Sequence, residues 1–271
     1  MRIRLDLAYD GTEFAGWQLQ PAEPTIQGRL EGALRRFYHA APDGGRRIAV
    51  TAAGRTDAGV HAEQQVVHFD APGQVPPEGL QRGLNGLLPG SIRVLTAREV
   101  APGFHARFDC NSKTYRYYLL PGKPASPLRS RFAWAVGDPL SIDAMRDAAA
   151  ACVGRWDFRA FVTAPSGEPQ RSPVRTVTEA RFVRRGPFAV FQISAGGFGR
   201  YMVRRLVGTL VAVGQGRLPR SHLRDLLHDP DRVGPRHRAP AVGLRLFRVR
   251  YPSDDSERKQ ARQPRPGHGG E

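Results

Sequence analysis

The chain is poor in cysteine, in lysine and in long apolar runs. Its 271 residues include only two cysteines, Cys110 and Cys152, too few for a disulfide framework and in no metal-ligand spacing. The longest apolar stretch, near Leu206 to Val213, is broken by Gly208 and Thr209 and falls well short of the ~20 residues that span a bilayer. The first residues alternate Ile3, Leu5 and Leu7 with Arg2, Arg4 and Asp6, which reads as a strand and not as a signal peptide. There is no G-x-S-x-G elbow, no P-loop and no G-x-G-x-x-G following a strand. His61 and His68 are seven apart, so on one strand they point to opposite faces, and no H-x-H or C-x-x-C pair stands by to help them chelate. A soluble cytoplasmic protein without a membrane segment is expected, and a metal site reads poorly.

Positive charge, by contrast, is abundant and uneven. The net charge is +16, with 38 arginines and three lysines against 25 acids. Residues 1–100 carry 11 charges of each sign and residues 252–271 four of each, so residues 101–251, with 26 basic against 10 acidic, hold the whole excess. Genome base composition accounts for arginine over lysine but not for a neutral half beside a basic one. Such a division suits a polyanion laid across one side of the molecule.

Patterning divides the chain into two similar rhythms. The first is a strand at Ile3–Leu7, a helix with Thr25 as N-cap and the stripe Ile26, Leu30, Leu34 and Phe37, a strand at Arg47–Val50 and a strand at Gln64–Asp70. A helix over Pro77–Leu88 and a strand over Ser91–Thr96 follow. The second rhythm has a strand at Lys113–Leu120 and a helix after Ser141 with Ile142, Met145, Ala148, Ala149 and Cys152 inward. A hairpin of Val174–Arg184 and Phe188–Ser194 turns at Gly186-Pro187; helices at Phe198–Val213 and Ser221–Leu227 and a strand at Leu244–Tyr251 complete it. The reading is α+β, with two lobes of β-α-β-β type, 1–103 and 104–252, each an antiparallel sheet with helices on one face, and a cleft between them. Residues 253–271 are polar, rich in Pro and Gly, and expected to be disordered.

The densest chemistry lies in GRTDAGVHA, Gly54 to Ala62. Arg55 and Asp57 are two apart and project to one side of an extended segment, while Gly54 and Gly59 leave room for a bulky ligand. On spacing alone, a turn capped by Asp57 and paired at the surface with Arg55 accounts for the stretch as well.

GRTDAGVHA resembles the signature of the tRNA pseudouridine synthase A (TruA) family. So do YDGTEFAGWQLQP (Tyr9 to Pro21), FHARFDCNSKTYRYYL (Phe104 to Leu119), FGRYMVRRLVGTLVAVGQGR (Phe198 to Arg217) and APAVGLRLFRVRYP (Ala239 to Pro252), in family order. The resemblance implies a cofactor-free isomerase that converts uridine to pseudouridine at positions 38 to 40 of tRNA, in the anticodon stem-loop, as a homodimer. It implies that Asp57 is the catalytic carboxylate and that Arg55 fills the stack vacated by the flipped base. Tyr115 would pack on that base, Arg204 pair with Asp57 and keep it ionised, and Leu244 close the pocket. The regions Phe104, His105, Ala106, Arg107, Phe108 and Arg171, Ser172, Pro173 would contact tRNA. Taken singly, Tyr115 reads equally as a sheet-face aromatic, Arg204 as a solvated helix arginine, Leu244 as core, and residues 164–173 as a bystander loop. His61 is expected to be structural. Family members often carry other residues at positions 201 and 205, here Tyr201 and Arg205. Two rivals are an RNA-binding protein without activity, which has no need of Asp57, and a metal-dependent nuclease, for which ligands are lacking.

Overall fold

The alternation in the first strand is the start of a single sheet in the computed structural model, which describes residues 1–39, 47–122, 126–137, 139–163, 172–231 and 237–252. Strand β1 (Arg2–Tyr9) buries Ile3, Leu5 and Leu7 on one face. The other face is also buried, because its polar groups satisfy one another: Arg4 Nε donates to Asp6 Oδ1 at 2.8 Å, and Gln64 Nε2 to Asp6 Oδ2 at 2.8 Å. Helix α1 (Ile26–Phe37) starts where expected, with the Thr25 hydroxyl accepting from the Gly28 N–H at 3.2 Å. Then come β2 (Thr51–Ala52), β3 (His61–Asp70), α2 (Pro77–Leu87) and β4 (Ile92–Val100). The second half contributes β5 (Ser112–Pro121), α3 (Pro127–Ser130), β6 (Trp134–Val136), α4 (Ile142–Ala150) and β7 (Gly154–Asp157). The hairpin β8 (Val174–Arg185) and β9 (Phe188–Ala195), α5 (Met202–Gly214), α6 (His222–His228) and β10 (Leu244–Arg250) follow.

The α+β class is as expected, but the strands form one continuous mixed sheet, ordered β4-β1-β3-β10-β5-β9-β8-β7 with β2 on β3 and β6 on β5. The last strand joins the halves. β10 pairs with β3 in parallel (Arg245 opposite His61) and with β5 antiparallel (Leu244 opposite Tyr117). One hydrophobic core, including Leu5, Leu30, Leu84, Met145, Leu206 and Leu246, runs through both halves.

Two expected elements differ. Residues 47–50 form no strand, and side chains of α1 take both backbone groups of Val50: its N–H donates to Glu31 Oε1 at 3.1 Å, and Gln27 Nε2 donates to its carbonyl at 3.4 Å. Only Thr51–Ala52 pair, with His68 and Val67. Helix α5 begins at Met202, four residues later than the pattern suggests, because Tyr201 adopts a left-handed φ of 62° that ends the preceding loop. The 253–271 tail lies outside the described residues. No helix among the described residues is long and apolar enough to cross a membrane.

Candidate active site

The GRTDAG connection runs from β2 to β3 and is held from beneath. The Gln65 side chain donates to the Gly54 carbonyl at 2.7 Å, and the Ala53 N–H to the Val66 carbonyl at 2.8 Å. Thr56 is gripped at both ends: its hydroxyl bonds the Tyr9 hydroxyl at 2.9 Å, and its carbonyl accepts from the Trp17 N–H at 3.0 Å. With Thr56 buried, its neighbours in sequence turn outward, Arg55 exposed and Asp57 half-buried. The partner of this grip is the loop after β1. Gly16 there has φ +98°, and a Cβ on it would lie 2.8 Å from the Thr56 carbonyl, so only glycine permits the approach. Gly59 has φ +74°, so its role is to let the backbone turn after Asp57.

Arg204 of α5 pairs with Asp57. Arg204 Nη1 stands 3.6 Å from Asp57 Oδ2, an ion pair looser than a direct hydrogen bond. Arg204 is itself fixed across a loop: its Nε donates to the Ala239 carbonyl at 2.8 Å, and the Ala239 N–H returns to the Arg204 carbonyl at 3.0 Å. Burial raises the Asp57 pKa above that of an exposed aspartate, against the opposing charges of Arg204, Arg200 and Arg238. Burial is the larger influence and makes the carboxylate more basic, while the Arg204 charge works in the opposite direction. Burial likewise lowers the pKa of Arg204, which Asp57 partly restores.

Tyr201 organises these arginines, and nothing in the sequence pattern marked it for this. Its ring centroid is 4.3 Å from the Arg238 guanidinium, 4.9 Å from that of Arg200 and 5.7 Å from that of Arg204, and Arg200 Nη2 donates to its hydroxyl at 3.2 Å. Tyr201 makes these contacts from a left-handed backbone, φ 62°, at the start of α5.

Tyr115 is buried on β5, edge-on to Phe198 at 5.1 Å. Burial, with the charges of Tyr9 and Asp57, pushes its pKa well up, so it is a neutral phenol whose titration senses Asp57. Tyr117, two residues on, donates its hydroxyl to the Pro240 carbonyl at 2.8 Å, and the buried Leu244 lies opposite it in register. The ring of His61 is held on both sides, with Nδ1 3.0 Å from the Gly11 nitrogen and 3.1 Å from Asp10 Oδ1, and Nε2 3.1 Å from the Val242 carbonyl oxygen. Burial lowers its pKa, against the raising pull of the Asp10 carboxylate.

The remaining expected contact residues lie apart from Asp57. Phe104 to Phe108 form a turn packed on His68, toward the C-terminal end of β3. The buried Ala106 donates its N–H to His68 Nδ1 at 3.1 Å, and His105 Nδ1 accepts from the N–H groups of Arg107 and Phe108, both at 3.2 Å. Phe108 is stacked on His105 with centroids 4.3 Å apart, yet 75% exposed, an aromatic face open to solvent beside Arg107. Ser172 is exposed and Pro173 accepts from the Phe158 N–H at 3.2 Å; no described contact joins either to Asp57, and Arg171 lies outside the described residues.

A sequence model of the tRNA pseudouridine synthase family matches residues 7–109 and 148–252. The chain is 42% identical over 251 residues to the tRNA pseudouridine synthase A of Methylacidiphilum infernorum, covering 93% of this chain and 96% of that one. It is 42% identical over 253 residues to the protein of the same name from Moorella thermoacetica (92% and 99% covered), and 42% identical over 251 residues to that of Myxococcus xanthus (92% of each).

Proposed function

We propose, from the premise that this chain belongs to the tRNA pseudouridine synthase family, that it isomerises uridine to pseudouridine at positions 38, 39 and 40 of the tRNA anticodon stem-loop. The observation that carries the reading is the Asp57–Arg204 pair on a loop locked at Thr56. The reaction breaks the C1′–N1 bond of uridine and joins C1′ to C5; the C5 hydrogen leaves as a proton and N1 gains one, so no redox partner is needed. A carboxylate of raised basicity can act at the sugar or the base to start it. A stacked uridine cannot reach such a group and has to be flipped out. The exposed Arg55 fills the gap in the stack, Tyr115 forms the surface against which the base lies, Arg204 holds Asp57, and Leu244 closes the pocket.

Residues 1–103 and 104–252 act as two lobes with Asp57 between them, and the basic second half, with Phe104 to Phe108 and Arg171 to Pro173, receives the phosphates and loop bases. The working form is a cytoplasmic homodimer with one tRNA reaching across both chains. Light scattering is expected to give the mass of two chains at micromolar concentration; a fully active monomer there overturns the dimer. The test of the function is an anticodon stem-loop carrying [5-³H]uridine: tritium is released to water as the C5 bond forms. Binding without tritium release would return the protein to the class of inactive RNA binders.

The acid limb of the single-turnover rate reports Asp57. Only the ionised form serves, and its pKa is raised, so activity falls as pH drops through a range above that of an exposed aspartate. Arg204→Met removes the strongest opposing charge and is expected to shift the limb to still higher pH. A limb that stays in place with Met at 204 rules out Arg204 as the group that tunes the carboxylate.

A further inference from the structure

Of the 41 basic residues of this chain only three are lysines, and Lys113 is the only one among the described residues. It stands in the interior of the sheet, on β5 opposite Val249 of β10 and Ala195 of β9. Being two residues before Tyr115, it projects from the same face. Its ammonium lies against the GRTDAG loop: a Cβ on Gly54 would be 3.7 Å from Nζ. No hydrogen bond or ion pair to that ammonium is found among the described residues, the thiol of Cys110 being the only group whose charge acts on it, and burial lowers its pKa. A partly desolvated ammonium without a partner is destabilising, and a chain that uses arginine almost everywhere has kept a compact, three-donor point charge here. In sequence Lys113 falls between the Phe104 to Phe108 turn and Tyr115, and in space it borders the loop that carries Arg55 and Asp57.

We infer that Lys113 is a positioning residue whose ammonium binds a backbone phosphate adjoining the flipped uridine, and so fixes the sugar over Asp57. This rests on the function proposed above. The ligand is the phosphodiester itself, so the interaction is indifferent to base sequence, and it supplies the partner that the protein alone withholds from the ammonium.

The experiment uses the full chain with Lys113→Met and Lys113→Arg, and stem-loops in which single phosphates flanking the target uridine are replaced by neutral methylphosphonates. Lys113→Met is expected to weaken binding about tenfold, the loss of one charge-assisted contact. The slope of log K against log salt should become shallower by about 0.7, the value for one phosphate on a single strand. One methylphosphonate position should weaken wild-type binding by the same factor and have no further effect on the Met variant. Lys113→Arg should restore the slope. Thermal melting without RNA should show the Met variant at least as stable as wild type, since a partly desolvated charge is removed. An unchanged slope, or losses from methylphosphonate and Met that multiply at every position, overturns the assignment. Wild-type protein that binds the unmodified stem-loop but releases no tritium overturns the proposed function, and Lys113 as a positioning residue with it; tritium release without the coupling overturns Lys113 alone.

Discussion

Asp57→Asn is expected to abolish pseudouridine formation, by on the order of 10⁴-fold or more, while leaving tRNA binding intact. An amide at this position is neither nucleophile nor base, and Asp57 is the one carboxylate of the GRTDAG loop. Affinity is expected to rise slightly, because a negative charge facing phosphates disappears. The same substitution carries a second signature, which separates a lost reaction from a lost fold. Burial raises the Asp57 pKa in the folded protein above its unfolded value, so the fold favours the protonated form. Stability from that preference is complete below the unfolded pKa and is lost as pH rises through the folded pKa. At neutral pH the ionised Asp57 is therefore a strain on the fold, and asparagine relieves it. The Tm of Asp57→Asn should exceed that of wild type at pH 7, with the gap closing in acid. Turnover by a variant shown to be free of deamidation would remove Asp57 from the chemistry, and a lower Tm at pH 7 would contradict a half-buried carboxylate that burdens the fold when ionised.

How far the sequence led depends on the range of each interaction. Period-2 and helical patterns are local, so β1, α1, α2, α4 and the β8–β9 hairpin were legible, the last from Gly186, which takes a φ of 56°. The strand expected at Arg47–Val50 does not form, and Gln27 and Glu31, some twenty residues earlier, capture both backbone groups of Val50. The union of both halves in one sheet rests on β10 returning between β3 and β5, a pairing that no local pattern records. Within the site, Asp57 and Arg55 stood out by density of charge, whereas Arg204 is 147 residues from Asp57 and was named only through the family motif. Tyr201 was marked only as a departure from the family, since the ring contacts it makes beside a positive φ are not written in the local pattern. Lys113 carried its signal in plain view, as a rare lysine two residues before Tyr115, but its meaning comes from the loop against which it lies.

Arg55→Ala should slow the step after binding by roughly 30-fold, with a smaller effect on affinity. Thr56 is pinned from above and below, and its neighbours Arg55, exposed, and Asp57, half-buried, flank it in the loop. Extruding a stacked nucleotide costs a few kcal/mol. A guanidinium that occupies the vacated space offsets part of that, and losing ~2 kcal/mol there corresponds to roughly 30-fold at 1.36 kcal/mol per decade. Shape should matter more than charge. Arg55→Lys keeps the cation but loses the plane that stacks between neighbouring bases, so it should restore the salt dependence of Kd and leave the rate low. Arg107→Ala is the contrasting case, in the basic half and beside the exposed ring of Phe108. It should weaken binding and reduce the salt slope by up to about one unit, with the single-turnover rate at saturating enzyme unchanged. Should Arg55→Ala instead follow the Arg107 pattern, with a normal rate once tRNA is bound, then Arg55 is one phosphate contact among many and the flipped base is held by Tyr115 and the pocket walls alone.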